Sequence, residues 1–111
     1  MYSHLAMHLD RTFHALSDGT RRGMLSMLCR RGELTASELG APFDVSQPTA
    51  SKHLRVLEQA GFLERRIDGR THRFRLVDRR MREAESWIGR HREFWEGTLE
   101  RLGDLLGDRS G

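Results

Sequence analysis

The tightest constraint on the fold is the run from Ser46 to Leu76, where a capped helix leads into a hairpin with no linker between them. Ser46 is a good N-cap, and Pro48 falls in the first turn, where a missing N–H costs no hydrogen bond. Ala50, Leu54 and Leu57 follow at helical spacing to about Ala60, and Gly61 suits the left-handed position that closes a helix. Next comes "FLERRIDGRTHRFRL". Asp68-Gly69 between two strand-like runs predicts a two-residue type I′ turn, pairing Leu63 with Phe74 and Glu64 with Arg73. That register turns Leu63, Phe74 and Leu76 to the core and leaves Arg66, Arg70 and Arg73 in water.

Shorter helical segments precede this run. Leu5, Leu9, Phe13 and Leu16 predict an amphipathic helix over residues 4–16. Asp18 caps a second helix, about 19–30, with Leu25 and Leu28 inward, ended by Arg31-Gly32. Thr35 and Glu38 form a capping box for a short third helix, about 36–41, stopped by Pro42. Beyond the hairpin, Asp78 caps a last helix, about 79–106. Its apolar stripe is Met81, Ala84, Ile88, His91, Trp95, Leu99, Leu102 and Leu106, flanked by Trp87 and Phe94. That is more apolar face than one small body needs, so the helix is expected to pack on a partner.

The order is helix-turn-helix (about 35–60), wing (about 62–76) and dimerisation helix (about 79–106). Residues 1–111 are read as one mainly α winged-helix domain with a small β-hairpin. The 111 residues suit one small domain with a modest core. No run approaches a membrane span, the N-terminus has no signal-peptide pattern, and a lone Cys29 makes no internal disulfide. A cytoplasmic protein is the expectation.

The charge is unevenly placed. Net charge is +3, yet residues 52–82 hold ten of the 19 Lys/Arg against four Asp/Glu. Such a patch is an electrostatic footprint for a polyanion. On the fourth helix Pro48, Ser51, Lys52, Arg55 and Gln59 share the face opposite the core, with Gln47 and Thr49 at its margins. Gln reads an adenine edge, and Arg or Lys reads guanine. Ser and Thr reach phosphates or bases. The wing arginines Arg66, Arg70 and Arg73 are expected on phosphates or in the minor groove.

The segments "FHALSDGTRRGMLSML" and "ELTASELGAPFDVSQPTASKHLRVLEQAGFLERRIDGRTHRFRL", with the long last helix, resemble the ArsR-type winged-helix repressors of bacteria over about residues 10–105. The resemblance implies a homodimer bridged by the first and last helices, bound to a pseudo-palindromic operator, often in its own promoter, on double-stranded DNA. It carries DNA-contact roles onto Gln47, Pro48, Ser51 and Lys52, and more loosely onto Thr49 and Arg55. Gly19 departs from the proline that relatives often have there.

Many relatives sense metals through a Cys-x-Cys on the third helix; here Thr35, Ala36 and Ser37 occupy that stretch. The family's other metal site needs more histidine than the last helix offers, since His91 stands alone there. His4 and His8 have chelate spacing and His91 could lie near them across a dimer, but all three are read as interface or surface residues. No metal and no cofactor is expected. Cys29 is read as a buried small apolar residue, with a redox role as the alternative. His53 either touches a phosphate or packs at the helix flank, the latter being preferred. Trp87, Phe94 and Trp95 are read as dimer core before effector pocket. The inducer is left open between a small molecule, a sequestering protein and none. No paired carboxylates, nucleophile turn, P-loop or dinucleotide motif suggests an enzyme. The alternative function is a protein-interaction module that uses its winged helix without DNA.

Overall fold

The structure is a computed structural model that describes residues 4–107; the side chains of residues 4–6, 93–95, 99 and 106–107 lie outside that description. In chain order the elements are α1 (His4–Leu16), α2 (Gly19–Arg31), β1 (Leu34–Thr35), α3 (Ala36–Gly40), α4 (Gln47–Gln59), β2 (Leu63–Asp68), β3 (Thr71–Leu76), α5 (Arg79–Arg90) and α6 (Arg92–Gly107).

The helix starts follow the capping chemistry read from the sequence. The Asp18 carboxylate accepts from the Arg21 amide at the head of α2. Thr35 and Glu38 close a reciprocal capping box on α3. The Ser46 hydroxyl accepts the Thr49 amide and donates to the Thr49 hydroxyl, so Thr49 helps close the head of α4. Gly32 and Gly61 end α2 and α4 with φ of 83° and 86°. Asp78 differs. It makes no side-chain cap bond, and its carboxylate pairs instead with Arg82 one turn on.

The core lies between α2, α3, α4 and the sheet, with Phe62, Phe74, Met24, Leu39 and Leu57 at its centre. Leu25 and Leu28 face inward as expected. Cys29 does not. It is exposed, because α2 buries Met24, Leu25, Met27 and Leu28 and turns the stripe of Arg22, Ser26, Cys29 and Arg30 to solvent.

The sheet has three antiparallel strands in the order β1-β3-β2. The two-residue β1 was not anticipated; it places Leu34 opposite Phe74 and Thr35 opposite Arg73. In the wing Leu63 pairs with Leu76, Arg65 with Phe74 and Arg66 with Arg73, two residues beyond the expected register. The turn residues are therefore Gly69-Arg70, and only Gly69 has positive φ, at 63°. That sign pattern belongs to a type II′ turn with glycine first. A slip of two preserves every side chain's face, so Leu63 and Phe74 remain buried.

The expected single last helix is two. At His91 the backbone bends to φ −106°, ψ 8°. The His91 amide bonds Ile88 O, while its ring Nδ1 donates to Trp87 O at 2.8 Å, the carbonyl a continuing helix would have offered that amide. Gly89, two residues earlier, weakens the helix at the same place. Along the stripe Ala84 is buried, Trp87 and His91 are half-buried, and Met81, Ile88 and Leu102 are exposed. The side chains of Phe94, Trp95, Leu99 and Leu106 lie outside the described residues. The radius of gyration is 17.8 Å, against about 13 Å for a compact chain of this length.

Candidate nucleic-acid interface

The exposed side of α4 carries Gln47, Pro48, Ser51, Lys52 and Arg55. Successive steps of 100° place these five on an arc of about 140°, which the buried Ala50, Leu54 and Leu57 do not enter. Thr49 falls outside the arc. The helix begins behind a Ser46 cap, so its N-terminal amides and Gln47 lie at the same end as the polar arc.

The wing folds back beside this helix because its inner face is tied to it. Arg65 donates from Nε and Nη2 to the two carboxylate oxygens of Glu58 on α4, at 3.1 and 2.8 Å. Its Nη1 reaches His72 Nδ1 at 2.9 Å, and its guanidinium lies 5.0 Å from the Phe74 ring centre. Arg65 was not singled out in the sequence, although strand alternation from Leu63 already places it on the inner face. Between α3, α4 and the wing lies a groove of about 530 Å³ that brings together Ser37, Gln47, Ser51, Arg55, Arg70 and Thr71.

Arg66 and Arg73 do not join that groove. They sit opposite each other on the outer face of the wing. Arg66 Nη2 donates to Glu33 at 2.9 Å, and that bond, followed by the charges of Arg66, Arg73 and Arg75, holds the Glu33 carboxyl below its usual range. On the same face Arg75 is bound to Glu64.

The ten cations of residues 52–82 thus divide in two. Arg65, Arg66, Arg75, Arg79, Arg80 and Arg82 each hold a carboxylate of the chain. Among the described residues Lys52, Arg55, Arg70 and Arg73 make no side-chain hydrogen bond or ion pair. Within this segment the unmatched positive charge therefore lies on α4 and the wing.

His53 points away from this face. Its ring packs against the head of α2, with Nδ1 3.2 Å from Arg21 Nη1 and 3.8 Å from an Asp18 oxygen, as flank packing requires. Among the described residues no group of three or more His, Cys, Asp and Glu could hold a metal ion. Thr35 and Ser37, in the stretch where the resemblance would put thiolates, serve the cap of α3 and the groove.

Comparison with known proteins matches this geometry. A helix-turn-helix domain model matches residues 16–66. The transcriptional repressor SdpR of Bacillus subtilis is 30% identical over 72% of this chain and 88% of its own length. The HTH-type transcriptional regulator Rv2034 of Mycobacterium tuberculosis is 32% identical over 87% of both chains. A solved ArsR family transcriptional regulator superposes with a TM-score of 0.77 at 34% identity, covering 86% of this chain and 97% of that one. The chain belongs to the ArsR-type winged helix-turn-helix transcriptional regulators. In ArsR-type terms α3 and α4 are the helix-turn-helix and β2–β3 the wing. Among the described residues no helix of this ArsR-type chain is long and apolar enough to cross a membrane.

Proposed function

We propose that the protein is a cytoplasmic, homodimeric repressor that binds a pseudo-palindromic operator in double-stranded DNA. The observation that carries this reading is the division of the cations. Of the ten cations in residues 52–82, the four that make no side-chain hydrogen bond or ion pair among the described residues, Lys52, Arg55, Arg70 and Arg73, lie on α4 and the wing. The six others are held by five carboxylates of the chain, Arg79 and Arg80 sharing Glu83.

In this reading α4 enters the major groove. Gln47, Ser51, Lys52 and Arg55 meet base edges and flanking phosphates, and Pro48 and Thr49 shape and close the helix start. Arg70, at the wing tip, reaches phosphate or the minor groove on the same side, with Arg73 on the far side of the wing. Arg66, already held by Glu33, contributes least. No step of bond making is involved; the protein acts by occupying DNA.

Dimerisation is supported by unburied apolar side chains on three helices: Met7 and Phe13 of α1, Met81 and Ile88 of α5, Leu102 and Leu105 of α6. Packing these on a second copy would remove them from water. A two-fold dimer would place its α4 helices about 34 Å apart, matching successive major grooves.

The test is fluorescence anisotropy with the duplex upstream of the protein's own gene against a scrambled duplex, with light scattering for the mass. A dimer that prefers one duplex by about a thousandfold is expected. Equal affinity for that duplex, for the scrambled one and for duplexes enriched from a random pool would end the reading.

A further inference from the structure

Arg21 is the only arginine or lysine among the described residues that is buried, at 8% exposure. A buried guanidinium demands acceptors, and this one is supplied from two other helices. Nε donates to Ala15 O at 2.8 Å and Nη2 to His14 O at 2.9 Å. These are carbonyls of the last turn of α1, and His14 O also accepts the Ser17 amide and hydroxyl, so Arg21 shares that oxygen. Nη1 donates to His53 Nδ1 on α4 at 3.2 Å. Its own backbone amide is held by Asp18 at the head of α2. One side chain therefore joins the end of α1, the start of α2 and the helix that carries the candidate DNA face.

The chemistry fixes the state of His53. An arginine only donates, so Nδ1 must be the accepting nitrogen and the ring proton sits on Nε2. Nδ1 cannot at the same time donate to Asp18, whose oxygen is farther away at 3.8 Å. His53 is also half-buried with its back to the polar arc of α4, so it acts on DNA only through the helix it belongs to.

We infer that Arg21 and His53 are positioning residues, a buried relay that fixes the setting of α4 against the end of α1 and so couples whatever packs on α1 to the DNA-reading helix. This rests on the DNA-binding reading above. It goes beyond it by assigning operator recognition to two residues that touch no DNA. α1 also carries the partly exposed Met7 and Phe13, and the Phe13 ring meets Trp87 of α5 edge-on at 5.9 Å, so the relay begins on a helix that packs on α5 and still shows apolar surface.

The test uses the full chain and a duplex enriched from a random pool by the wild-type protein. His53→Leu fills the space but removes the acceptor; His53→Asn restores an oxygen close to the place of Nδ1. His53→Leu is expected to lower affinity for the enriched duplex about tenfold, an ordinary size for coupling between sites. Affinity for a scrambled duplex should stay unchanged, and His53→Asn should recover most of the loss. Equal loss on both duplexes, or no rescue by asparagine, overturns the relay as a positioning device. A wild-type protein that enriches no sequence refutes the DNA-binding reading instead.

Arg21→Met also removes the bonds to the Ala15 and His14 carbonyls of α1 and risks unfolding. A second measurement therefore reads the native protein without DNA. The imidazole nitrogen chemical shifts of His53 should show an unprotonated Nδ1 and a protonated Nε2 at neutral pH. A proton on Nδ1 would overturn the relay directly.

Discussion

The salt dependence of DNA binding tests the cation map most sharply. Each phosphate neutralised by a protein cation releases condensed counterions, and log K falls with log salt by about 0.9 per contact. Counting the four cations of α4 and the wing that make no ion pair among the described residues, Lys52, Arg55, Arg70 and Arg73, a dimer offers about eight contacts and a slope near −7. Arg70→Gln removes one such cation from each protomer and should flatten the slope by about 2. The paired double variant Glu33→Gln/Arg66→Gln is the control. It deletes two charges of opposite sign, held at 2.9 Å on the outer face of the wing, and should leave the slope within about 0.5 of wild type. Anisotropy titrations across about 50–200 mM salt resolve that difference, since about eight contacts change affinity by roughly four orders of magnitude there. If the double variant flattens the slope as much as Arg70→Gln does, Arg66 leaves Glu33 for phosphate, and internal pairing is no guide to DNA contact.

Three further outcomes follow from local structure. Ser46→Ala removes the acceptor of the Thr49 amide and should cost about 1 kcal/mol in urea unfolding, while also loosening the start of α4 and weakening operator binding. Glu38 titrates below its ordinary value of 4.5, first because it accepts the Thr35 amide and then through its bond with the Thr35 hydroxyl. A depressed folded-state pKa stabilises fully above 4.5 and is lost as pH falls through the lower folded value, so Glu38→Gln should flatten that acid limb of the stability curve; an unchanged limb would refute the assignment. Gly23→Ala would place its Cβ 2.7 and 2.8 Å from two ring carbons of Phe43, and should destabilise by about 1–3 kcal/mol unless Phe43 swings out, which thermal unfolding would register as a smaller loss.

Much of the fold was legible because local chemistry dictates it. Ser46, Thr35 and Asp18 capped the helices they were expected to cap, and Gly32 and Gly61 took the left-handed turns that end α2 and α4. Where two local solutions compete, the sequence was weaker. "IDGRT" permits a turn on Asp68-Gly69 or on Gly69-Arg70, and both keep Leu63 and Phe74 on the buried face. The hydrophobic pattern cannot choose between registers two apart. The last helix misled for a similar reason. Its apolar period runs through the break, and the bend depends on a ring nitrogen of His91 taking the Trp87 carbonyl.

The candidate site shows the same limit in charge. From the sequence, Arg65, Arg66, Arg70 and Arg73 form one basic cluster, and which of them is available to a phosphate depends on the carboxylate that stands nearby in space. Alternation of the strand decides part of it, since Arg65 shares the inner face with Leu63 and meets Glu58 of α4. The rest depends on β1, a strand of two residues with no periodicity to detect. Pairing Leu34 with Phe74 brings the adjoining Glu33 within 2.9 Å of Arg66 across 33 positions of sequence. Once Arg66 is matched in that way, the net charge of residues 52–82 no longer measures what DNA would meet. Lys52, Arg55, Arg70 and Arg73, unpaired among the described residues, do, and of these Arg55 and Arg70 line the groove that also holds Gln47 and Ser51.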